Sequence, residues 1–224
     1  MKSLVILSGG MDSATLLWWL KFIGREVWAL GIDYGQRHRK ELIFAEQLAA
    51  EIGVPFRIAD LRALKGLLPG SSQTDDSIDV PEGHYAEESM KKTIVPNRNM
   101  IMLAVAAGHA ISLKVDSIAY AAHSGDHTIY PDCRPEFADA LDKTIGLADW
   151  HKVSLERPFI AYTKATIAKL GGLIGVPFDK TWSCYKGGEI HCGVCGTCAE
   201  RKEAFFLGGV KDPTEYDRKE LLLF

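Results

Sequence analysis

The sequence predicts an α/β fold, a doubly wound parallel sheet with a small four-cysteine knuckle near the C-terminus. Short apolar runs alternate with segments whose apolar residues recur at helical spacing, a pattern typical of βαβ units. Two glycines, Gly9 and Gly10, follow the first apolar run, and four of the five cysteines lie between Cys184 and Cys198. We therefore expect residues 1–180 to form the sheet domain and residues 181–224 to form a small segment packed on it.

Five apolar runs are predicted to form the strands. They are residues 4–7, 27–32, 54–59 and 115–122, and a run near Val153. Short runs of this kind are typical of parallel strands that are buried on both faces. The crossovers between them are expected to be right-handed.

Helical spacing of apolar residues predicts five helices. They are residues 13–22, 40–52, 100–113, 135–145 and 163–174. The second helix ends at Gly53, a residue type that commonly terminates helices. The third is rich in alanine, and we expect it to be buried on most sides. Residues 64–90 follow neither pattern and are too long for a plain connection, so we expect a mobile lid or a partner surface there.

Composition and charge exclude several classes of protein. The 224 residues are 47% hydrophobic and 25% charged, with a net charge of −3, which is ordinary for a globular protein. Folding should bury roughly 70% of the unfolded surface, so a disulfide framework is unnecessary. The net charge gives no basis for nucleic-acid binding, and no apolar stretch of about 18 residues predicts a membrane span. Without a signal-peptide pattern at the N-terminus, we expect a cytoplasmic protein.

The glycine turn after the first strand has the composition of an anion-binding site. Gly9 and Gly10 permit positive φ and close approach of a ligand to the backbone, and the first amides of the following helix point toward an anion. Ser8 and Ser13 add hydroxyl donors. Asp12 would repel a phosphate unless a magnesium ion lay between them. On the glycines alone, a plain turn with Asp12 capping the helix explains the pattern equally well.

The whole string from Ser8 to Ser13 resembles the S-G-G-x-D-S signature of the N-type ATP pyrophosphatases. The resemblance implies ATP bound with Mg²⁺, transfer of AMP to a substrate oxygen, and a loop that holds the departing pyrophosphate. It implies catalytic roles for Asp12 and Ser13, with Tyr34 beside the adenine. The implied ATP-binding residues are Ser8, Gly9, Gly10, Met11, Asp12, Ser13, Ala14, Thr15, Leu16, Leu17, Trp18 and Tyr34.

The clustered cysteines have the spacing of a metal site. Cys184, Cys192, Cys195 and Cys198 supply four thiolates, a set that suits a closed tetrahedral zinc. An iron–sulfur cluster is the alternative, because C-x2-C-x2-C also occurs in ferredoxins. Those motifs usually continue to a further cysteine, whereas Lys202 stands at the corresponding position. A four-thiolate site leaves no open position, so we expect one structural zinc per chain.

Several longer strings resemble the 7-cyano-7-deazaguanine synthase family. They are residues 33–36 (DYGQ), 95–99 (VPNRN), 130–137 (YPDCRPEF), 163–164 (TK) and 181–185 (TWSCY). The resemblance implies a nucleotide-binding domain over residues 1–180, a zinc-binding segment over 181–224 and a homodimer. It implies ATP-dependent conversion of 7-carboxy-7-deazaguanine and ammonia to the nitrile, through an adenylated carboxylate and then an adenylated amide. No glutaminase domain is visible, so the ammonia is expected to be free or delivered by a partner.

Two basic residues are predicted to be catalytic. Arg98 and Lys164 each lie at the start of a predicted helix, where a cation is unfavourable unless an anion offsets it. The fork of Arg98 can contact ATP or the substrate carboxylate through two hydrogen bonds. Lys164 is predicted to be catalytic for the same reason, because its position at a helix start also calls for an anion nearby. The dense basic run at residues 37–40 is read as a solvated helix start, with phosphate contact as the alternative.

Three residues around the lone Cys133 are predicted to bind the substrate. The carboxylate of Asp132 or Glu136 can accept the N1–H and 2-amino groups of a guanine-like edge, and Arg134 can meet the 7-carboxylate. A salt-bridged loop is the alternative. Cys133 is not expected to be a nucleophile, because no base is adjacent and adenylation needs no thiol.

Two other functions remain open on the sequence alone. A pyrophosphate-loop enzyme acting on RNA, such as a tRNA thiolase, would need a catalytic thiol or an iron–sulfur centre and a basic face. A non-catalytic zinc-binding regulator could keep the same fold, although the intact string from Ser8 to Ser13 argues against it. A colourless protein with one zinc would exclude the first, and magnesium-dependent ATP binding would exclude the second.

Overall fold

The protein is built on a five-stranded parallel sheet, as the sequence predicts. The computed structural model describes residues 1–84 and 88–218. The strands are β1 (Lys2–Ile6), β2 (Glu26–Asp33), β3 (Phe56–Asp60), β4 (Ser117–Ala119) and β5 (Ser154–Glu156). Their order is β3-β2-β1-β4-β5, with every pairing parallel. The strand order reverses between β1 and β4, and ligands of doubly wound sheets bind outside the carboxyl ends of the strands at such a point.

Six α-helices accompany the sheet in the described part of the chain. They are α1 (Met11–Phe22), α2 (Glu41–Glu51), α3 (Arg98–Leu113), α4 (Pro135–Ala148), α5 (Lys164–Leu173) and α6 (Gly196–Gly208). The first five correspond to the predicted helices, with ends shifted by a few residues. None of these helices is long and apolar enough to span a membrane.

Apolar layers cover both faces of the sheet. Leu4 of β1 packs with Leu103 of α3 and Leu141 of α4, whereas its neighbour Val5 packs on the other face with Leu16 and the rest of α1. This alternation follows from the period of two along a strand. The prediction that α3 is buried on most sides is confirmed, because only one stripe of the helix is exposed: Met100, Ala104, Gly108 and Ser112. Leu103, Ala106, Ala107 and Ala110 are buried, and the remaining residues are partly buried.

The glycine turn leaves the carboxyl end of β1, between β2 and β4. Gly9 has a φ of +89°, a region that favours glycine. A Cβ at this position would also overlap the backbone carbonyl of Glu41, the first residue of α2. Glycine is therefore required here both for its backbone conformation and for the close approach of α2.

The middle of the segment 64–90 belongs to the protein interior. Ser71, Ser72 and Gln73 are fully buried, and Thr74 is nearly so. Gln73 Nε2 donates to the carbonyl of Thr93 at 2.8 Å, and Gln73 Oε1 accepts the Tyr34 hydroxyl at 3.0 Å, so this buried amide has internal partners. These residues are part of the protein core, so the predicted mobile lid does not include them. Residues 85–87 of the predicted segment lie outside the described residues.

The helix α6 was not predicted, because its buried face is largely polar. Glu200, Arg201 and Lys202 are all buried, so the apolar spacing that reveals a helix is missing from the sequence. Phe205 of α6 packs with Met11 of α1 in a shared apolar cluster. The C-terminal segment is thus in contact with the helix that follows the glycine turn. Residues 219–224 of the predicted segment 181–224 lie outside the described residues.

Candidate active site

One cavity at the carboxyl edge of the sheet brings together seven of the predicted site residues, among them all four that are predicted to be catalytic. It is lined by Ser8, Gly10, Asp12 and Ser13 of the glycine turn, by Tyr34 after β2, and by Arg98 and Lys164. These side chains come from four separate parts of the chain. Their meeting follows from the parallel sheet, because the segments after β1 and β2 and the first residues of α3 and α5 all lie at the same edge.

The glycine turn is held by a small set of serine hydrogen bonds. Ser8 Oγ and Ser13 Oγ lie 3.1 Å apart, and Ser13 Oγ donates to the carbonyl of Gly10 at 3.2 Å. Gly10 is the N-cap of α1, and no side chain caps the helix there. The first amides of α1 are therefore available to an anion in the cavity.

The remaining residues of the implied ATP set face the core instead. Gly9 is packed against α2. Met11, Ala14, Thr15, Leu16 and Leu17 are almost completely buried, and Trp18 packs against the apolar clusters beside α1. Their contribution is to fix the direction of α1, because one face of a helix must pack on the sheet.

A buried charge cluster lies beside the turn. Lys164 Nζ is 3.2 Å from Asp12 Oδ2 and 2.6 Å from Glu200 Oε2. His123 Nε2 lies 3.8 Å from Asp12 Oδ2 and 3.5 Å from Asp126 Oδ2. Because His123 Nδ1 accepts the backbone N–H of Gly125 at 3.1 Å, the imidazole is held with Nε2–H toward the two carboxylates.

Lys164 stays protonated in this cluster. Burial alone would lower its pKa, but the carboxylates of Asp12 and Glu200 outweigh burial and raise the pKa above its ordinary value. Thr163 caps α5 by accepting the backbone N–H of Thr166, so Lys164 is fixed as the first helical residue. A held ammonium beside the turn can neutralise phosphate charge.

Asp12 has one carboxylate oxygen without a partner. Its Oδ1 is buried and accepts no hydrogen bond in the part of the chain that the structure describes, while Oδ2 faces Lys164 and His123. An orphaned carboxylate oxygen in a cavity with serine hydroxyls suits a hard cation that prefers oxygen ligands. The residues present therefore fit a magnesium ion between Asp12 and a bound phosphate.

Arg98 is a cation without a carboxylate partner. Its Nη1 donates to Gln73 Oε1 at 3.2 Å, and its guanidinium carbon lies 5.8 Å from the ring of Tyr130. Among the described residues, no carboxylate oxygen lies within 4.0 Å of it. Burial raises the pKa of Tyr34 to about 12, and its hydroxyl donates to the same Gln73 oxygen at 3.0 Å. The guanidinium is thus oriented by neutral groups and free to meet an anion.

The far wall of the cavity consists of residues that the sequence analysis did not assign. Glu41 and His38 line it with Trp182 and Tyr185. Burial, followed by the charge of Arg98, lowers the pKa of His38 to about 3, so it is a neutral imidazole; burial raises the pKa of Glu41 to about 8.

The interpretation of residues 37–40 as a solvated helix start is wrong for its first two residues. The Arg37 guanidinium donates to the carbonyls of Asp75 and Ile78, and His38 is buried. The high charge of the run gives no sign that His38 is buried.

The predicted substrate residues do not line the cavity. Asp132 Oδ2 accepts the backbone N–H of Asn99 at 3.0 Å and thereby satisfies the start of α3. Arg134 is exposed, and its Nε donates to the carbonyl of His127 at 2.9 Å. Glu136 is exposed in the first turn of α4. The sequence string that contains them contributes only Cys133 to the cavity wall.

Cys133 is a buried thiol with little nucleophilic character. Burial raises its pKa far above the ordinary value, and the charges of Asp126 and Asp132 add to that effect. Asn99 Nδ2 lies 3.2 Å from its sulfur. Since the thiolate is the reactive form, the environment agrees with the expectation that Cys133 does not act as a nucleophile.

The four clustered cysteines form a possible metal site. The sulfur atoms of Cys184, Cys192, Cys195 and Cys198 all lie within 4.8 Å of one another. The backbone N–H of Cys195 lies 3.3 Å from Cys192 sulfur, an orientation that stabilises thiolates. His191 is not part of the set, because its Nε2 accepts the backbone N–H of Ser183 at 3.1 Å.

The metal site and the cavity share one helix. Cys195 is the N-cap of α6, and Cys198 lies in its first turn. The next turn carries Glu200, which holds Lys164. Thr197 also lines the cavity and donates to the carbonyl of Ser183 at 2.8 Å. Sequence reasoning missed Glu200 because a single glutamate beside a cysteine motif carries no recognisable spacing signal.

The chain is similar over nearly its whole length to proteins of one family. The family described as "Queuosine biosynthesis protein QueC" matches residues 2–208. A 7-cyano-7-deazaguanine synthase from Rhizobium etli is 51% identical over 222 residues, covering 98% of this chain and 94% of that protein. Another from Sinorhizobium fredii is 53% identical with the same coverage.

A solved structure with the same fold is the U34-tRNA thiolase NcsA from Methanococcus maripaludis with its 4Fe-4S cluster. The similarity covers 98% of this chain and 75% of that one, with a TM-score of 0.51 and 15% sequence identity. At that identity the likeness shows the fold alone. It agrees with the doubly wound parallel sheet that the sequence predicts.

Proposed function

The chain belongs to the family described as queuosine biosynthesis protein QueC, and from that premise we propose that it is an ATP-dependent ligase forming 7-cyano-7-deazaguanine. Its substrates are 7-carboxy-7-deazaguanine, ammonia and ATP. The observation that carries the proposal is one cavity in which the turn from Ser8 to Ser13 meets two cations, Arg98 and Lys164. Arg98 has no carboxylate partner among the described residues, and Lys164 is held by two carboxylates. A carboxylate and a polyphosphate need such cations when they are brought together, because both are anions.

The reaction proceeds in two activations at one place. An oxygen of the substrate carboxylate attacks the α-phosphate of ATP, and pyrophosphate leaves. Ammonia then displaces AMP and gives the amide, and the amide oxygen is adenylated in turn; loss of the second AMP leaves the nitrile. Each activation consumes one ATP and sets a substrate oxygen beside an α-phosphate in the same position, so one pocket serves both.

The chain's own groups supply positions and charge for these steps. The first amides of α1 and the hydroxyls of Ser8 and Ser13 receive the departing pyrophosphate. Lys164, held by Asp12 and Glu200, faces the same charge. Magnesium bound at Asp12 Oδ1 would withdraw charge from the phosphates. Arg98 binds the substrate carboxylate and orients it toward the turn.

The four cysteines are proposed to hold one structural zinc. Four thiolates close the coordination sphere, and the sulfur atoms are mostly buried. The zinc orders the start of α6 and takes no part in the reaction. Location in the cytoplasm, assembly as a homodimer and the use of free ammonia stay predictions.

Isotope labelling tests the proposed function. The protein is incubated with ATP, Mg²⁺, ammonium and 7-carboxy-7-deazaguanine labelled with ¹⁸O in both carboxylate oxygens. We expect the nitrile by mass spectrometry, with one labelled oxygen in each of two AMP molecules per nitrile. Label in inorganic phosphate would refute the adenylate route, and absence of the nitrile would refute the function.

Replacing Arg98 is expected to weaken binding of the acid selectively. Arg98→Gln should raise the KM for 7-carboxy-7-deazaguanine by about tenfold to a hundredfold, because a hydrogen bond to a charged group is lost. The KM for ATP should change little. Steady-state kinetics with each substrate varied in turn measure the two effects.

Arg134→Gln is the matched control for Arg98, because Arg134 is exposed and lies outside the cavity lining. It should leave both KM values near those of the wild type. A rise in the KM for the acid in Arg134→Gln, but not in Arg98→Gln, would restore the assignment made from the sequence.

Replacing Glu200 is expected to reduce turnover without weakening binding. Glu200→Gln removes the charge that holds Lys164 Nζ at 2.6 Å, so the ammonium is misplaced and kcat should fall by about tenfold to a hundredfold. Both KM values and the metal content should remain near wild type. Glu203→Gln, on the exposed face of the same helix, is the control. Loss of metal or a rise in KM alone would contradict a positioning role.

A further inference from the structure

We infer that Glu41 recognises the amino-pyrimidinone edge of the deazapurine, accepting its ring N1–H and its exocyclic 2-amino group; the inference rests on the proposed function. Glu41 replaces Asp132 and Glu136 in this role. No part of the sequence resemblance pointed to it, and its assignment depends on where α2 begins relative to the cavity.

Glu41 is a buried acid at the cavity wall. It is the first residue of α2, its backbone carbonyl abuts Gly9 of the turn, and its side chain is 13% exposed. The side chain lines the same cavity as Arg98 and the turn. A carboxyl group with this little access to water needs hydrogen-bond donors.

The carboxyl group is oriented but not saturated by the protein. Oε1 accepts Gln36 Nε2 at 3.1 Å, and Oε2 lies 3.4 Å from His38 Nε2. Each carboxylate oxygen can accept about two hydrogen bonds, so each retains capacity for one more donor. Burial raises the pKa of Glu41 to about 8, and two donors from a ligand would favour the ionised form.

The cavity offers a hydrogen-bond acceptor for one end of the substrate and a cation for the other. The deazapurine carries N–H donors on its six-membered ring and a carboxylate on its five-membered ring. Glu41 of α2 and Arg98 of α3 are the corresponding acceptor and cation, and the charge of Arg98 is close enough to lower the pKa of Glu41 against the effect of burial. The rings of Trp182 and Tyr185 line the same space and suit a planar bicycle.

Adenine is the competing occupant, and its chemistry fits less well. Its amino edge presents one donor beside a ring nitrogen that accepts hydrogen bonds. A carboxylate facing that edge would place one oxygen against a lone pair, whereas the guanine-like edge offers two donors in parallel. The same cavity wall therefore discriminates between the two bases by hydrogen-bond polarity.

The test compares the acid with its analogue that lacks the 2-amino group. Wild type should lose about a hundredfold in kcat/KM on the analogue, because a buried acceptor is left without its donor. Glu41→Gln should lose about a hundredfold on the acid, treat acid and analogue alike within about threefold, and keep its KM for ATP. Glu46→Gln, on the exposed face of α2, should behave as wild type.

Several results would overturn the inference. They are full discrimination against the analogue in Glu41→Gln, a rise in the KM for ATP in place of the KM for the acid, or no discrimination by the wild type. If Glu41→Gln does not fold by thermal melting, Glu41→Asp and calorimetric binding of both ligands to wild type give the same comparison. Turnover of the acid by wild type tests the proposed function separately, since it does not depend on which residue contacts the base.

Discussion

Asp12→Asn is expected to lower kcat by at least about a thousandfold while the protein stays folded. The substitution removes the charge of Oδ1, the buried oxygen that has no partner among the described residues, and with it the ligand proposed for magnesium. Metal ions contribute several kcal/mol to stabilising charge in phosphoryl transfer, and each 1.4 kcal/mol corresponds to a factor of about ten. Lys164 keeps its contact with Glu200, so the local structure is retained.

Turnover of Asp12→Asn is measured as pyrophosphate and nitrile formed per enzyme, alongside thermal melting. The melting temperature should stay within about 4 °C of wild type, the shift expected for a change of about 1 kcal/mol. Asp179→Asn replaces an exposed aspartate and serves as the control. Near-normal turnover would remove the turn after β1 from the mechanism.

Cys195→Ser is expected to release the metal and to lower the melting temperature by at least about 10 °C. Structural zinc contributes about 10–16 kcal/mol to folding in zinc-finger peptides, and even about 4 kcal/mol corresponds to a shift of this size in a chain of this length. Cys195 also occupies the N-cap position of α6. Loss of the metal at the start of this helix should therefore disturb Glu200 in its next turn and reduce turnover as well as stability.

Metal analysis and melting curves measure the effect of Cys195→Ser. Wild type should contain one zinc per chain and be colourless, whereas a brown protein would indicate an iron–sulfur cluster. Cys133→Ser is the control, because Cys133 lies outside the four-cysteine cluster, and it should keep its metal. A metal-loaded Cys195→Ser variant with wild-type stability would refute the assignment of the knuckle.

The sheet could be predicted because apolar periodicity reports it directly. Runs such as residues 4–7 and 27–32 are buried on both faces, so they contain hardly any polar residues to obscure the pattern. The turn from Ser8 to Ser13 could be recognised because the proposed anion site consists of backbone amides from one short continuous string. Local chemistry of this kind is present in the sequence itself.

The rest of the site depends on contacts between distant segments. Glu200 meets Lys164 across 36 residues, and Gln73 meets Arg98 across 25; neither pair has a spacing signal. Apolar spacing does not reveal α6, because its buried positions include the charged residues Glu200, Arg201 and Lys202. The sequence string around Cys133 predicts substrate binding by Arg134, but its side chain lies at the surface, where it donates to the carbonyl of His127.

The close approach of Gly9 to Glu41 makes the glycine turn rigid. Since the peptide at Gly9 is packed against the beginning of α2, the turn that is proposed to bind pyrophosphate cannot shift without displacing a helix that is packed on the sheet. The amides are thus preorganised between turnovers and need no rearrangement when charge develops. The shape of the proposed anion site is therefore set when the chain folds, before any substrate arrives.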